Sequence, residues 1–321
     1  MAFTPKIRSY LVILLSVCWL SSIGYFVLRS KKSNHPQKET TQLYRNNRIL
    51  MGTFWEVASA HQEASLIVFT EASRIENLLS KYRKDSEISQ LNQNGRLKVS
   101  PDTFYIIKKS KEFWQLSAGA FDITVAPLVD LWGFTNQKHN LPNEELIKAA
   151  LKLVGSDKII LHENDSVIEF KLHGMKIDLG AIAKGFAIDC AVRKLKEKNI
   201  NSCLINAGGQ VYALGDKSGQ PWKIAIQNHR KREIAATLEL KDASVSTSGD
   251  YEQFFLRNGK RYCHIIDPKT GHPVENGINS VTIVADSALE ADCLSTAVFV
   301  LGKEKSAALL KMFPRAKASI L

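Results

Sequence analysis

From about residue 47 to residue 321 the apolar pattern runs mostly helical first and strand-like last, with no internal repeat. That order constrains the fold more than any single motif. "MGTFWEVASA" (51–60) has strand character, and Ser65–Tyr82 places Ile67, Ala72, Ile75 and Leu79 at helical spacing. A second helix is expected over 103–117 and a third over 143–154, the latter announced by Pro142 and acidic residues. Strands are expected at "KIILHE" and "SVIEFKL" and a helix over about 181–198. A run of short strands follows from "SCLINAG" to "SVTIVA", and then a last helix over 288–301. Helices clustered early and strands paired late predict an α+β domain rather than a βαβ array. At 321 residues, 45% hydrophobic and 23% charged, the chain has ample material for a large core.

The net charge of +11 does not mark a nucleic-acid binder. Lys6, Arg8, Arg29, Lys31, Lys32, Lys38, Arg45 and Arg48 face only Glu39 among residues 1–50, so most of the excess belongs to the N-terminus. The basic cluster His229–Arg232 reads as a solvated loop. The N-terminal basicity flanks "SYLVILLSVCWLSSIGYFVL" (9–28), a charge-free stretch long enough to cross a bilayer. An uncleaved membrane anchor over 1–28 is favoured over a cleaved signal, and a lipoprotein cleavage at Cys18 is disfavoured by Val17 before it. Positive charge on both flanks leaves orientation undecided. Residues 29–46 read as a polar linker and 47–321 as the folded domain. The remaining cysteines, Cys190, Cys203, Cys263 and Cys293, lie in apolar runs without zinc spacing and read as buried free thiols.

Several short stretches carry chemistry. "IDLGAIAKGFAID" (177–189) reads as a buried strand breaking at Gly180 into a helix, and the unpaired amides of a helix start favour an anion, with phosphate the first suspect. It is not a Walker loop, since Lys184 precedes its glycine and no Ser or Thr follows. Near the C-terminus Asp292 and Thr296 are four apart, hence stacked on one helix face. They offer the hard oxygens that magnesium takes, although such a pair alone is more often the mark of a solvated face or a back-bonded hydroxyl. Ser287 and Glu290 are spaced as a capping box. "GAFDITVAPLVDLWGF" has a strand-like "ITV", "NAGGQVYALG" lacks the glycine order of a dinucleotide fingerprint, and "HIIDPKTGHP" puts His264 on a strand ending in a turn.

Together and in order, "MGTFWEV", "YRKDSEISQLN", "GAFDITVAPLVDLWGF", "IDLGAIAKGFAID", "INAGGQVYALG", "STSGDYEQFF", "HIIDPKTGHP" and "SVTIVADSALEADCLSTAVFVLG" resemble the ApbE family of FAD:protein FMN transferases, over about residues 47–313. The resemblance implies T-fold-like mixed sheets flanked by helices. It also implies magnesium-dependent cleavage of FAD, transfer of FMN through a phosphoester to a threonine or serine of an acceptor flavoprotein, and release of AMP. It assigns Asp292, Thr296 and the backbone oxygen of Ala181 to magnesium, and Lys184 to the FAD diphosphate. Met51, Tyr82, Ala120, Phe121 and Asp122 are assigned to the flavin, and His264 to a place near the acceptor hydroxyl or leaving group. Gly180 would allow close backbone approach, and Asp178 would make a structural hydrogen bond. Family analogy places the domain on the periplasmic or extracytoplasmic side of the inner membrane, acting on membrane redox subunits, with no nucleic acid involved. Relatives usually continue past "LLKMFPRAKASI", so a closing sheet edge is expected to be missing. Two other readings stay open: an FAD pyrophosphatase, in which water replaces the hydroxyl, and a non-catalytic membrane-anchored flavin binder.

Overall fold

The computed structural model describes residues 42–228 and 233–321. The apolar stretch 9–28, most of the linker and the cluster His229–Arg232 lie outside the described residues. Among the described residues no helix is long and apolar enough to cross a membrane. Strand β1 (Tyr44–Leu50) begins inside the expected linker and pairs with β2 (Thr53–Ser59) from Tyr44 onwards.

Early helices do precede late strands. Helix α1 (Ala64–Leu79) buries Ala72, Ile75 and Leu79 of the expected stripe, while Ile67 is half-buried and its neighbour Val68 takes the fully buried place. It is followed by α2 (Glu87–Asn94), the short β3 (Arg96–Lys98), α3 (Pro101–Leu116), α4 (Ala126–Leu131) and α5 (Glu144–Leu151). Strands β4 (Ile159–His162) and β5 (Val167–Phe170) join β3 in a small sheet ordered β3-β5-β4. After α6 (Ala183–Glu197) come β6 (Cys203–Ala207), β7 (Gln210–Leu214), β8 (Trp222–Asn228), β9 (Glu233–Leu240) and β10 (Ala243–Gly249). The chain closes with the hairpin β11 (Phe254–Arg257) and β12 (Lys260–Cys263), then β13 (Ser280–Ala285), α7 (Ala288–Lys311) and β14 (Lys317–Ile320).

The main sheet has seven strands in the order β1-β2-β6-β7-β10-β13-β14. Every strand pairing among the described residues is antiparallel, so the expected mixture of strand directions is not found, while the α+β class is. Alternation along β7 sets two faces. Tyr212 and Leu214 join the core under α1, α6 and α7, whereas Val211 and Ala213 pack with Trp222, Ile224 and Leu240 of the β8–β9 ribbon. The expected gap at the last edge is also absent. β14 pairs with β13 from Val281↔Ile320 to Val284↔Lys317, and Asn279 N–H donates to the Leu321 carbonyl at 2.7 Å.

Three local expectations are corrected. "ITV" is a single 3₁₀ turn (Ile123–Val125) started by Asp122, whose side chain accepts from Thr124 N–H. Residues 177–179 are not a strand, because a side chain stands where a neighbouring strand would. Asn92 Oδ1 accepts from Ile177 N–H at 2.7 Å and Asn92 Nδ2 donates to the Ile177 carbonyl at 2.9 Å. The last helix breaks where it is expected to end, but a further helical segment follows in place of a short tail. Gly302, at φ 80°, breaks its axis and the helix resumes to Lys311. The four described cysteines are free and buried, as expected.

Helices α6 and α7 cross at Gly185, where a Cβ would lie 2.4 Å from the Ala288 carbonyl oxygen and 2.7 Å from Leu289 Cα. Both are backbone atoms and cannot swing aside. Gly185→Ala is expected to force the helices apart and lower unfolding free energy by about 1–3 kcal/mol. A urea melt of the variant beside the unmodified protein measures this.

Candidate active site

One large cleft of about 1680 Å³ opens between the start of α6, strand β10, helix α7 and the turns at 51–53, 79–83, 120–125 and 251–268. All ten residues that the sequence nominates line it: Met51, Tyr82, Ala120, Phe121, Asp122, Ala181, Lys184, His264, Asp292 and Thr296.

The acid end is built by α6, α7 and β10. Ser287 Oγ accepts from Glu290 N–H at 3.2 Å, which is the serine half of the capping box. The remaining amides of the α7 start go to a residue that the sequence did not single out. Asp189 on α6 accepts from Ser287 Oγ (2.7 Å), Ala288 N–H (2.8 Å) and Leu289 N–H (3.0 Å). That carboxylate fixes the start of α7 on α6, and Asp292 follows one turn along. Its Oδ2 accepts from Gly185 N–H at 3.1 Å, in the first turn of α6. One amide of the expected anion site is therefore already taken, by a carboxylate of the chain itself.

The other oxygen of Asp292 is poorly matched. Oδ1 has Ser246 Oγ at 3.5 Å and Lys184 Nζ at 3.7 Å, both long, although the residue is only 4% exposed. Burial pushes the Asp292 pKa up, with Lys184 and the Gly185 amide opposing. Hydroxyls surround this carboxylate. Ser246 and Ser248, alternating on β10, point to the helix side and meet Ser295 Oγ at 3.4 and 2.9 Å, and Ser248 lies 3.3 Å from Thr296 Oγ1. A buried carboxylate oxygen lacking a close partner, with hydroxyl oxygens around it, fits a hard divalent cation. No group of three His, Cys, Asp or Glu that could hold a metal occurs among the described residues, so such an ion would complete its shell from the Ala181 carbonyl, substrate phosphate and water.

Lys184 extends from the first turn of α6, its Nζ donating to the Gly180 carbonyl at 3.2 Å. Asp178 makes the expected structural bond, accepting from Gly180 N–H at 2.9 Å. Gly180 itself is not demanded by crowding, since a Cβ there would meet only Asp178, at 3.2 Å.

His264 stands one residue beyond β12 rather than within it. The Gln253 carbonyl accepts from His264 N–H at 2.9 Å and lies 3.2 Å from Nδ1. A carbonyl only accepts, so Nδ1 carries the proton and Nε2 presents a lone pair. Burial pushes the His264 pKa below 6.5, partly countered by the Gln253 bond, with Lys184 lowering it further. The hairpin that sets this geometry is held by ring packing: Phe255 stacks on Tyr262 at 5.0 Å and on His139 at 4.8 Å, and Tyr262 on Trp132 at 5.7 Å. Glu252, next to Gln253, is reached by solvent but enclosed by the cleft walls, and that enclosure pushes its pKa up to about 7. The sequence had shown "STSGDYEQFF" as a block without singling out Ser246, Ser248 or Glu252.

At the opposite end Tyr82 is 68% exposed, and its ring presents an aromatic surface for stacking. Met51 and Gly52 form the two-residue β1–β2 turn with φ of 51° and 71°. A methionine at positive φ is uncommon and marks a backbone held to shape at the cleft edge. Ala120, Phe121 and Asp122 are buried, and the Asp122 carboxylate is fully engaged by Thr124 and Ser156. That segment therefore offers backbone rather than side chains to a ligand.

The chain is thus an antiparallel α+β domain whose one large cleft brings together a buried acid, a lysine and a histidine. Comparison with known proteins gives the family. The sequence profile of the ApbE family matches residues 51–320, and the chain belongs to that family. It is 37% identical over 240 residues to a FAD:protein FMN transferase of Haemophilus influenzae, covering 71% of this chain and 69% of that protein. It is 32% identical over 306 residues to the enzyme of the same name from Escherichia coli K12, covering 90% and 87%. Among solved structures, the ApbE protein of Thermotoga maritima superposes with a TM-score of 0.81 at 34% identity, covering 87% of this chain and 94% of that one. The flavin transferase ApbE of Vibrio cholerae gives 0.78 at 28%, covering 87% and 93%.

Proposed function

We propose that this chain is a magnesium-dependent transferase that moves FMN from FAD to a threonine or serine of an acceptor flavoprotein and releases AMP. The observation that carries the reading is the meeting, in one cleft, of the under-compensated Asp292 carboxylate with Lys184 and the Nε2 lone pair of His264. Tyr82 stacks on the isoalloxazine ring, and the backbone of Met51 and Ala120–Asp122 borders it. Lys184 lies along the diphosphate. Asp292, Thr296 and the Ala181 carbonyl would hold Mg²⁺, which would supply positive charge against the diphosphate. His264 Nε2 takes the proton of the acceptor hydroxyl. The hydroxyl oxygen then bonds the FMN phosphorus while the phosphorus–oxygen bond to AMP breaks.

Incubating the full chain with FAD, Mg²⁺ and candidate acceptor subunits tests this. A fluorescent acceptor band that survives a denaturing gel is expected only when all components are present, with one AMP per label. AMP and free FMN without a labelled acceptor would instead indicate hydrolysis, and neither product would indicate a flavin binder.

We further propose that residues 9–28 anchor the chain in the inner membrane, with the domain on the extracytoplasmic side. The polar stretch 31–42 would then reach on the order of 20 Å, limiting acceptors to membrane-associated or membrane-proximal chains. A C-terminal alkaline phosphatase fusion should be active and a C-terminal fluorescent protein that matures only in the cytoplasm dark. The reverse result would overturn the topology.

A further inference from the structure

A second enclosed charge lines the same cleft as Asp292. The Lys81 side chain is only 10% exposed, rare for an ammonium. Its Nζ lies 2.7 Å from Asp178 Oδ2 and donates to Thr135 Oγ1 at 3.0 Å. Thr135 in turn donates to Asp130 Oδ1 at 2.5 Å. The second Asp178 oxygen closes the turn to Gly180, whose carbonyl accepts from Lys184. On its other side Lys81 Nζ is 5.2 Å from the ring centroid of Tyr82, the next residue. One ammonium thus touches both the aromatic end of the cleft and the turn that leads to Ala181 and Lys184.

We infer that Lys81 is a positioning residue that ties the Asp178–Ala181 turn to Tyr82, keeping the diphosphate-binding and flavin-binding ends at a fixed separation. The naming of those two ends rests on the transferase reading above. Two arguments favour position over stability. A buried ion pair contributes little net stability compared with an apolar pair of the same size, so its effect is chiefly on geometry. In addition, the Asp178 oxygens are divided between the ammonium and the turn, so loss of the ammonium is felt directly at Gly180 N–H. Burial pushes the Lys81 pKa down, but Asp178 more than offsets this and the ammonium stays charged.

The test uses Lys81→Met, Lys81→Arg, Asp178→Asn and the Lys81→Met/Asp178→Asn pair in the full chain. It reads FMN transfer and hydrogen–deuterium exchange of the peptide spanning 176–186. Misplacement of a reacting group costs up to about 100-fold, so Lys81→Met should lower kcat by about 10–100-fold while KM for FAD moves less than about 3-fold. Deuterium uptake across 176–186 should rise, Lys81→Arg should recover most of kcat, and the double variant should be no slower than the slower single one. Unchanged uptake and kcat in Lys81→Met, or a double variant whose loss is the product of the single losses, would overturn the inference. Should Lys81→Met fail to fold, Asp178→Asn decides: it must raise uptake over the same peptide, and normal uptake there sinks the idea. If the unmodified chain labels no acceptor, the transferase reading fails, whereas the exchange measurement still judges the link between Lys81 and the turn.

Discussion

Asp292→Ala is expected to leave a folded protein that transfers no measurable FMN. It removes the carboxylate that reaches into the hydroxyl cluster of Ser246, Ser248, Ser295 and Thr296, and with it the charge that the proposed Mg²⁺ would meet. Deleting one preorganised electrostatic contact of this kind costs on the order of 10²–10³ in rate. The fold should survive because the start of α7 is secured separately, by Asp189 and Ser287. Asp292→Asn sharpens the experiment: it keeps the shape and loses the charge, and should be nearly as inactive as the alanine variant. Normal turnover of either variant at saturating magnesium would disprove the metal site, and circular dichroism with a thermal melt separates that result from unfolding.

His264→Ala should behave differently, sparing FAD binding and suppressing transfer. A group that moves a proton acts on the chemical step, so KM for FAD should hold while kcat falls by roughly 10²–10⁴. The pH profile gives an independent check. Burial depresses the His264 pKa below 6.5, and the proposed proton transfer needs the neutral ring. Transfer should therefore be flat at neutral pH and fall only as pH drops through a value below the ordinary histidine range. That acid limb should vanish from whatever slow rate His264→Ala retains. A flavin fluorescence titration in which FAD binding itself collapses would move His264 from proton transfer to substrate binding.

What the sequence disclosed follows from how local each signal is. The stripe of α1 and the one-turn spacing of Asp292 and Thr296 are properties of a single element, and both are found in the structure. Features made by two distant segments were not readable. Asn92 replaces a strand neighbour for Ile177 from 85 positions away, so "KIDL" looked like a strand and is not one. Asp189 lies on the outer part of a stretch read for its glycines and lysine, yet its carboxylate caps a helix about 100 positions on. Gly180 drew attention by standing at the break, whereas the glycine under real steric demand is Gly185, pressed against the α7 backbone. The edge strand β14 went unforeseen because "KASI" has little apolar pattern of its own and is defined by its partner β13. Ser246 and Ser248 were printed plainly in an alternating run, but nothing in that run said which face would meet a carboxylate.

The place of β2 in the main sheet has a consequence for how the chain is made. Its neighbour β6 is synthesised far later: Ser59 Oγ bonds the Ser202 carbonyl, 143 residues downstream. At 5–20 residues per second the ribosome needs on the order of 10–30 s to cover that distance. For that interval β1–β2 has α1 to pack against, but the β2 edge that β6 will cover stays unpaired. The cleft cannot exist before the wait ends, because the turn carrying Met51 is seated when Gly208 N–H reaches the Phe54 carbonyl. The yield of active protein should therefore depend on how well the β2 edge is protected until β6 arrives, as well as on the stability of the finished domain.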